Sequence, residues 1–526
     1  MSNAGKMDYD YVIIGSGFGG SVSALRLSEK GYRVLVLEKG KRWEASDFPK
    51  RNWNLKRWMW LPFVGFFGFF KLTFFRHITV LSGVGVGGGS LMYANTLPIP
   101  KDDFFEADSW KHLIDWKMAL KEHYETAKKM LGTAKNPRKE TGDTALEQLA
   151  NQINKQEEFE LTEVAVFFGE PEKEVADPFF DGKGPRRKGC TFCGGCMTGC
   201  RFDAKNTLDK NYLYLAQKNG AEILAQAKVM DVKPIGTEDG SDGYLVSYAR
   251  STSIFRKKKR ITAKGVVFSA GVLGTVPLLH DLKKSSLPNL SGLIGAGVRT
   301  NSESLLGITS YDKKTVFSDG IAIGSILHTD QYSHLEPVRY ASGSGFWRLL
   351  LAPMISGSNF ISRLFSMLYD IVRHPIKNLR VFFVWDFAKR TQILLFMQTL
   401  NSTLKFSRGW FGLKSSMEDG PAPTAFIPEA QDLAHRYAKL VNGKPVALLT
   451  ETFAGIPTTA HILGGCVMGA DVDEGVIDKH NQVFGYKNMY ICDGSAISAN
   501  PGVNPSLTIT AISEHAMSKI PEAKGN

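Results

Sequence analysis

Four of the six cysteines of this chain fall inside residues 190–200: Cys190, Cys193, Cys196 and Cys200, spaced C-x2-C-x2-C-x3-C. Bacterial ferredoxins use this spacing to hold iron–sulfur clusters on thiolates. Two features depart from that pattern. Arg201 follows the last cysteine where proline is usual, and the chain has no second cysteine set for the cluster that the fourth ligand would serve. Zinc sites pair their ligands in separate knuckles and fit so crowded a set poorly. A disulfide framework needs an oxidising compartment. "MSNAGKMDYD" has no apolar secretory stretch before Tyr11, so a cytoplasmic location with reduced thiols is expected. An iron–sulfur cluster on the four thiolates and ordinary scaffold both stay open for this segment. Cys466 and Cys492 stand alone and read as small buried hydrophobes.

A second constellation binds rather than reacts. In "DYDYVIIGSGFGGSVSALRLSEKGYRVLVLEKG" a β-branched run, Tyr11 to Ile14, ends at Gly15-x-Gly17-x-x-Gly20. A helical stretch follows, Gly31 stops it, and "RVLVLE" reads as a second buried strand ending at Glu38. Strand, glycine turn, helix, strand and acid in that order are the dinucleotide fingerprint. Gly15 permits the tight turn, Gly17 lets backbone approach a pyrophosphate, and Gly20 lets helix pack on strand. The free N–H groups of the helix start then face the phosphates, and Glu38 is placed to accept from ribose hydroxyls. The position of the fingerprint suits FAD more than NAD. "LSGVGVGGGSLMYANT", Leu81 to Thr96, adds Gly83, Gly85, Gly87, Gly88 and Gly89. So many glycines cost folding entropy and make sense where backbone presses on a flat ligand. Near the other end, a strand at Met489 to Cys492 leads to Asp493 and Gly494 and a helix starting near Pro505. Asp493 is expected on a ribityl hydroxyl, and the helix start on a flavin carbonyl.

Five stretches together resemble the glucose–methanol–choline (GMC) flavoprotein oxidoreductases, and "GVGVGGGSLMYANT", "GCMTGCRFDAKNTLDKNYLYLA" and "HILGGCVMG" resemble more closely its bacterial cholesterol-oxidase-like branch. The five are "VIIGSGFGGSVSALRL", "GVGVGGGSLMYAN", "GVVFSAGVLGTVPLL", "TAHILGGCVMG" and "DGSAISANPGVNPSLTITAISEHA". The resemblance implies an α/β fold: a Rossmann-like FAD-binding domain interleaved with an α+β substrate domain on an antiparallel sheet. It implies a non-covalent FAD, since no histidine lies in the loop from Gly83 to Asn95; the nearby His77 is expected as scaffold. Cofactor contacts carried over by motif are Phe18 and Gly19 in the first turn, Lys39 beside Glu38, Ser90 and Asn95 in the second glycine loop, and Ala270 with Gly271. Val229 matches the family strand whose backbone faces the adenine. The implied chemistry is oxidation of an alcohol to a carbonyl by hydride transfer to flavin N5, with a base for the hydroxyl proton. His461 and Asn504 match the family's catalytic pair. The sterol branch also uses a glutamate that no motif places here; Glu303 and Glu451 are candidates and read as scaffold. Iron–sulfur GMC dehydrogenases have cysteines spaced like Cys190, Cys196 and Cys200. A cluster here would imply transfer to an external protein or quinone acceptor in place of O2, or chiefly an electron-transfer role.

These residues need elements to position them. A chain of 526 residues, with 43% hydrophobic and 22% charged residues, excludes a disordered protein and allows two or more domains. Residues 1–50, 80–100, 190–310 and 455–526 are expected to form the FAD-binding domain, and 101–189 with 311–454 the substrate domain. Arg51 to Val80, including "LKRWMWLPFVGFFGFFKLTFF", is rich in aromatics and contains basic residues and no acid, and its apolar run Trp58–Phe70 is too short to span a bilayer. It is expected as a lid at 51–79 or an interfacial anchor. Gly345 to Arg390 repeats the pattern, with Phe360, Leu364, Leu368 and Ile371 at helical spacing and Arg348, Arg363, Arg373, Lys377 and Arg380 beside them. Two such zones, with a net charge of +12, point to peripheral membrane contact and a lipid alcohol substrate. "RKKKR" at 256–260 reads as a hairpin tip, with no nucleic-acid motif around it.

Overall fold

The computed structural model describes residues 7–253, 255, 257–355, 360–410 and 412–524. The run Tyr9–Ile14 is an interior strand of a seven-stranded sheet. Its neighbours are Val34–Leu37 on one side, flanked by Glu222–Leu224, and Lys259–Phe268 on the other. All of these run parallel, and Met489–Ile491 joins Lys259–Phe268 in the same sense. Parallel strands are covered on both faces and therefore read as unbroken apolar runs; every residue of Val34–Leu37 is buried. An antiparallel pair, Tyr244–Arg250 and Ala227–Pro234, completes the sheet. The helix Phe18–Glu29 packs beneath it against Tyr212–Lys218 and Ser506–Ser518. Residues distant in sequence thus share one core.

The second sheet also has seven strands, all antiparallel, in the order Leu351–Pro353, Gly443–Leu448, Ser304–Ser310, Thr391–Gln398, Ser333–Val338, Ser325–His328 and Phe159–Leu161. Side chains alternate along its strands. Leu306, Ile308, Leu394 and Phe396 face a core shared with the helices Thr141–Gln152 and Pro428–Leu440. Leu305, Gly307, Ile393 and Leu395 face a cavity instead. The expected α/β fold, with its added antiparallel sheet, is the one observed. Ser304–Ser310, expected at the close of the dinucleotide-binding part, belongs to this second sheet.

The expected lid is a rim of short strands: Trp60–Leu61 pairs with Phe66–Phe67, and Phe70–Phe74 with Thr79–Gly83. Trp58 stacks on Phe70, and both meet Trp347 edge-on. The segment is therefore anchored by aromatic packing to the other aromatic zone, while Phe63 is 84% exposed at its tip. The basic run expected at a hairpin tip leads into Lys259–Phe268, paired with Tyr244–Arg250, and its described residues are exposed; Arg256 lies outside the described residues.

One buried ion pair ties the second sheet to its helices. Arg339 Nη2 donates to Asp143 Oδ1 at 2.9 Å, and Ser325 Oγ and the Glu140 N–H donate to the same carboxylate. Both side chains are almost fully enclosed. Removing one member leaves a buried charge unpaired, which costs about 3–5 kcal/mol. Asp143→Ala is expected to lose that much in denaturant unfolding followed by circular dichroism; a loss below about 1 kcal/mol would show that Arg339 finds other partners.

Candidate active site

A cavity of about 640 Å³ lies between the two sheets. One end is walled by Gly15, Gly17, Phe18, Gly19, Glu38, Lys39, Val229, Ala270 and Gly271, residues that the sequence placed against a dinucleotide. Gly83, Gly88, Gly89, Asp493, Gly494 and Pro505 line it as well. The two glycine turns touch: a Cβ on Gly88 would sit 2.7 Å from Gly17 Cα, and one on Gly15 would sit 2.3 Å from Ser269 O. Gly17 and Gly271 behave differently, because a Cβ there would meet no atom within 4 Å. That opening is where a cofactor backbone would lie. No side chain caps the first turn of Phe18–Glu29, so its N–H groups are available to phosphates. Lys39, Lys71 and Lys228 add cationic lining. Burial, and the repulsion of its lysine neighbours, lowers Lys71 to about 8; burial also lowers Lys39. An anion placed among them relieves both costs. The residues present therefore fit FAD.

Several expected contacts turn out to be supports. Gly20 does not line the cavity; a Cβ there would lie 2.2 Å from Gly15 O, so its role is close packing of helix on turn. Ser90 Oγ donates to Gly87 O at 2.7 Å and accepts from Leu208 N at 3.1 Å, which shapes the loop from behind. Asn95 is buried, with its carbonyl accepting from Ala165 N. Glu38 accepts from Ser16 N and Oγ and from Gly40 N, and keeps acceptor capacity toward the cavity. Asp493 is more fully engaged. Its oxygens accept from Gly271 N, Thr275 Oγ1, Ser495 N and Ser495 Oγ. Its carboxylate ties the strand Met489–Ile491 to the helix Val272–Lys283 while lining the cavity.

His461 and Asn504 line the same cavity as the glycine turn. His461 Nδ1 lies 2.7 Å from Glu303 Oε1. The same carboxylate accepts from Thr459 Oγ1 and from the Ala460 N–H. Glu303, read from sequence as scaffold, is thus the residue that orients the imidazole. Burial works against a charged His461, but the charge and hydrogen bond of Glu303, helped by Glu336, prevail and raise it above the usual imidazole value. With Nδ1 bonded to Glu303, Nε2 is the nitrogen left for a substrate.

Glu336 was not picked out in the sequence. It is fully buried in Ser333–Val338, and Asn504 Nδ2 approaches its Oε2 at 3.4 Å. Burial raises its carboxyl to about 8, against the lowering effects of His461 and of the Asn504 hydrogen bond. Its other oxygen has no partner, nor does His334 Nε2, 3.7 Å away. The signal lay in "SHLEPV", where His and Glu stand two apart on one face of a buried strand. Glu451, the other candidate carboxylate, is buried and accepts from Thr458 N without lining the cavity. His77 bonds Ser415 Oγ and is scaffold, as expected.

The four cysteines, for which a cluster and ordinary scaffold are both open readings, differ in exposure. Cys190 is buried, Cys193 is exposed, and Cys196 and Cys200 are half-buried. They border one small cavity, but among the described residues no group of three or more His, Cys, Asp or Glu is arranged to hold a metal ion. The segment is tied to the glycine loop: Lys205 Nζ, which follows it, donates to the carbonyls of Cys196, Leu91 and Tyr93.

Glu303→Gln keeps the shape of the contact and removes its charge. A base at His461 would have to be neutral to accept a proton, so activity would fall as pH drops through its raised pKa. The variant is expected to shift that acid limb to lower pH and to lower kcat about 10- to 100-fold. An unchanged limb in a pH profile of kcat/KM would remove Glu303 from this role.

The GMC oxidoreductase family matches twice, over residues 180–300 and 414–513, and a NAD(P)-binding Rossmann-like domain matches 13–43. A cholesterol oxidase of Acinetobacter baumannii is 47% identical across 98% of this chain and 94% of its own length. A cholesterol oxidase of Mycobacterium tuberculosis is 42% identical across 98% and 92%. A long-chain-alcohol oxidase of Arabidopsis thaliana shares 25% identity across 98% of this chain and 67% of that protein. Among solved structures, pyridoxine 4-oxidase superposes with a TM-score of 0.61 over 97% of this chain and 98% of its own, at 14% identity, and so shares the fold. The chain belongs to the GMC oxidoreductase family and is an FAD-dependent alcohol oxidoreductase.

Proposed function

We propose that the alcohol is a 3β-hydroxysterol or a similarly apolar lipid alcohol, oxidised to the ketone or aldehyde with O2 as acceptor. The observation that carries this is the lining of the inner cavity. Leu305, Ile323, Val338, Trp347, Leu395 and Leu448 present an apolar wall, and His461, Glu303 and Asn504 supply polar groups at the catalytic end. A sugar would leave its hydroxyls without partners on such a wall, at a cost for each. Bound FAD supplies the hydride acceptor. His461 Nε2 takes the hydroxyl proton as the carbinol hydride departs, and the Glu303 carboxylate stabilises the resulting imidazolium. Asn504 spends one amide hydrogen on Glu336 and has a second for the substrate oxygen. The relatives named cholesterol oxidases support both the sterol and the O2 reading. A substrate of this kind resides in membranes, which favours peripheral membrane contact.

Anaerobic flavin reduction across sterols, fatty alcohols and sugars tests the substrate class. Bleaching is expected with cholesterol and absent with glucose; the reverse order would overturn it. His461→Ala is expected to keep its flavin absorbance while the reduction rate falls about 10²–10⁴-fold. Reduction at the parental rate would take the base role from His461.

A further inference from the structure

The helices Phe360–Arg373 and Pro375–Phe382 leave an apolar face uncovered. Phe365, Leu368, Tyr369, Val372 and Ile376 are exposed there, and Phe383 and Trp385 just beyond are 79% and 92% exposed. Soluble proteins rarely leave so continuous an apolar patch to water, and one that persists marks a contact surface. The pair is nevertheless held in place. Arg363 Nη2 donates to Phe453 O, and Lys444 Nζ bonds both Asp370 and Asn378 Oδ1.

Position and charge say what covers it. Leu351, before the pair, and Phe387, after it, both line the active-site cavity. The exposed cations of the pair are Arg373, Lys377 and Arg380. Asp370 is the one acid in the segment 360–382, and Lys444 neutralises it. An apolar stripe flanked by unopposed cations is the pattern of a helix lying in the headgroup region of an anionic bilayer. Among the described residues no helix is long and apolar enough to cross a membrane, so the pair would lie on it. A second copy is a poorer occupant, because a twofold contact sets the same patch against itself and places these cations near their own copies.

We infer that this helix pair is a docking face for anionic phospholipid membranes that sets the cavity mouth against the lipid; the delivery role rests on the lipid-alcohol reading above. Flotation of the holoenzyme with phosphatidylcholine vesicles, with and without phosphatidylglycerol, tests it. The parent is expected to bind the anionic vesicles at least about tenfold more tightly, with added salt weakening the preference. Lys377→Glu/Arg380→Glu is expected to abolish the preference, and Phe365→Ser/Val372→Ser to weaken binding to both vesicles. Turnover of detergent-dispersed cholesterol should stay at the parental level in both variants, while turnover of vesicle-embedded cholesterol falls with binding. Equal affinity of parent and variants, no vesicle binding by the parent, or a dimer that these substitutions dissociate would each overturn the assignment. Failure of the parent on dispersed sterol would refute the substrate class alone, leaving the vesicle affinities to decide docking.

Discussion

One carboxylate holds the chemistry in place. Glu303 stands directly before the strand Ser304–Ser310 of the antiparallel sheet, and it accepts from Thr459 Oγ1, the Ala460 N–H and His461. Those residues belong to a segment that pairs through Thr458–Thr459 with Thr79–Gly83, the strand leading into the second glycine loop. A single side chain therefore links the sheet that surrounds the substrate to the wall that surrounds the flavin. Because it engages Nδ1, it also fixes which imidazole nitrogen faces the cavity. Without that bond the ring could rotate, and in the proposed role as base it would lose the alignment on which proton transfer depends.

The electrostatics divide the buried groups into two kinds. Beside Glu303, a nearby anion outweighs burial and makes the imidazole a better base. Around Glu336 burial dominates: its carboxyl rises to about 8, and burial lowers His334 to about 3. Near neutral pH both are mostly uncharged, so Asn504 faces a mostly neutral neighbour and Glu336 adds only a little to the raising of His461 that Glu303 dominates. Carboxylates near one imidazole thus act differently because one is tied to several donors and the other is enclosed with few.

Much of the cofactor end was legible because its constraints are local. A tight turn, a close backbone approach and a helix start each leave a mark within a few residues, as Gly15, Gly17 and Gly20 do. His461 and Asn504 were legible through motif, and they do share a cavity. Glu303 and Glu336 were not, because their meaning lies in contacts across the fold: Glu303 meets a residue 158 positions away and Glu336 one 168 positions away. Asp493 lines the cavity, but the donors that surround its carboxylate come partly from another segment and leave no local mark in the sequence.

The parallel pairing of Met489–Ile491 with Lys259–Phe268 carries a consequence for biosynthesis. During translation the fingerprint strand, its helix and the first glycine loop emerge early, but their sheet lacks this strand until residue 491 has been made. The helix Ser506–Ser518, which packs against Phe18–Glu29, comes later still. Nascent chains must wait through the whole antiparallel sheet with an open, apolar cleft, a state prone to aggregate. Capture of the dinucleotide can then act as the final latch, because its cavity is complete only when both ends of the polypeptide have met.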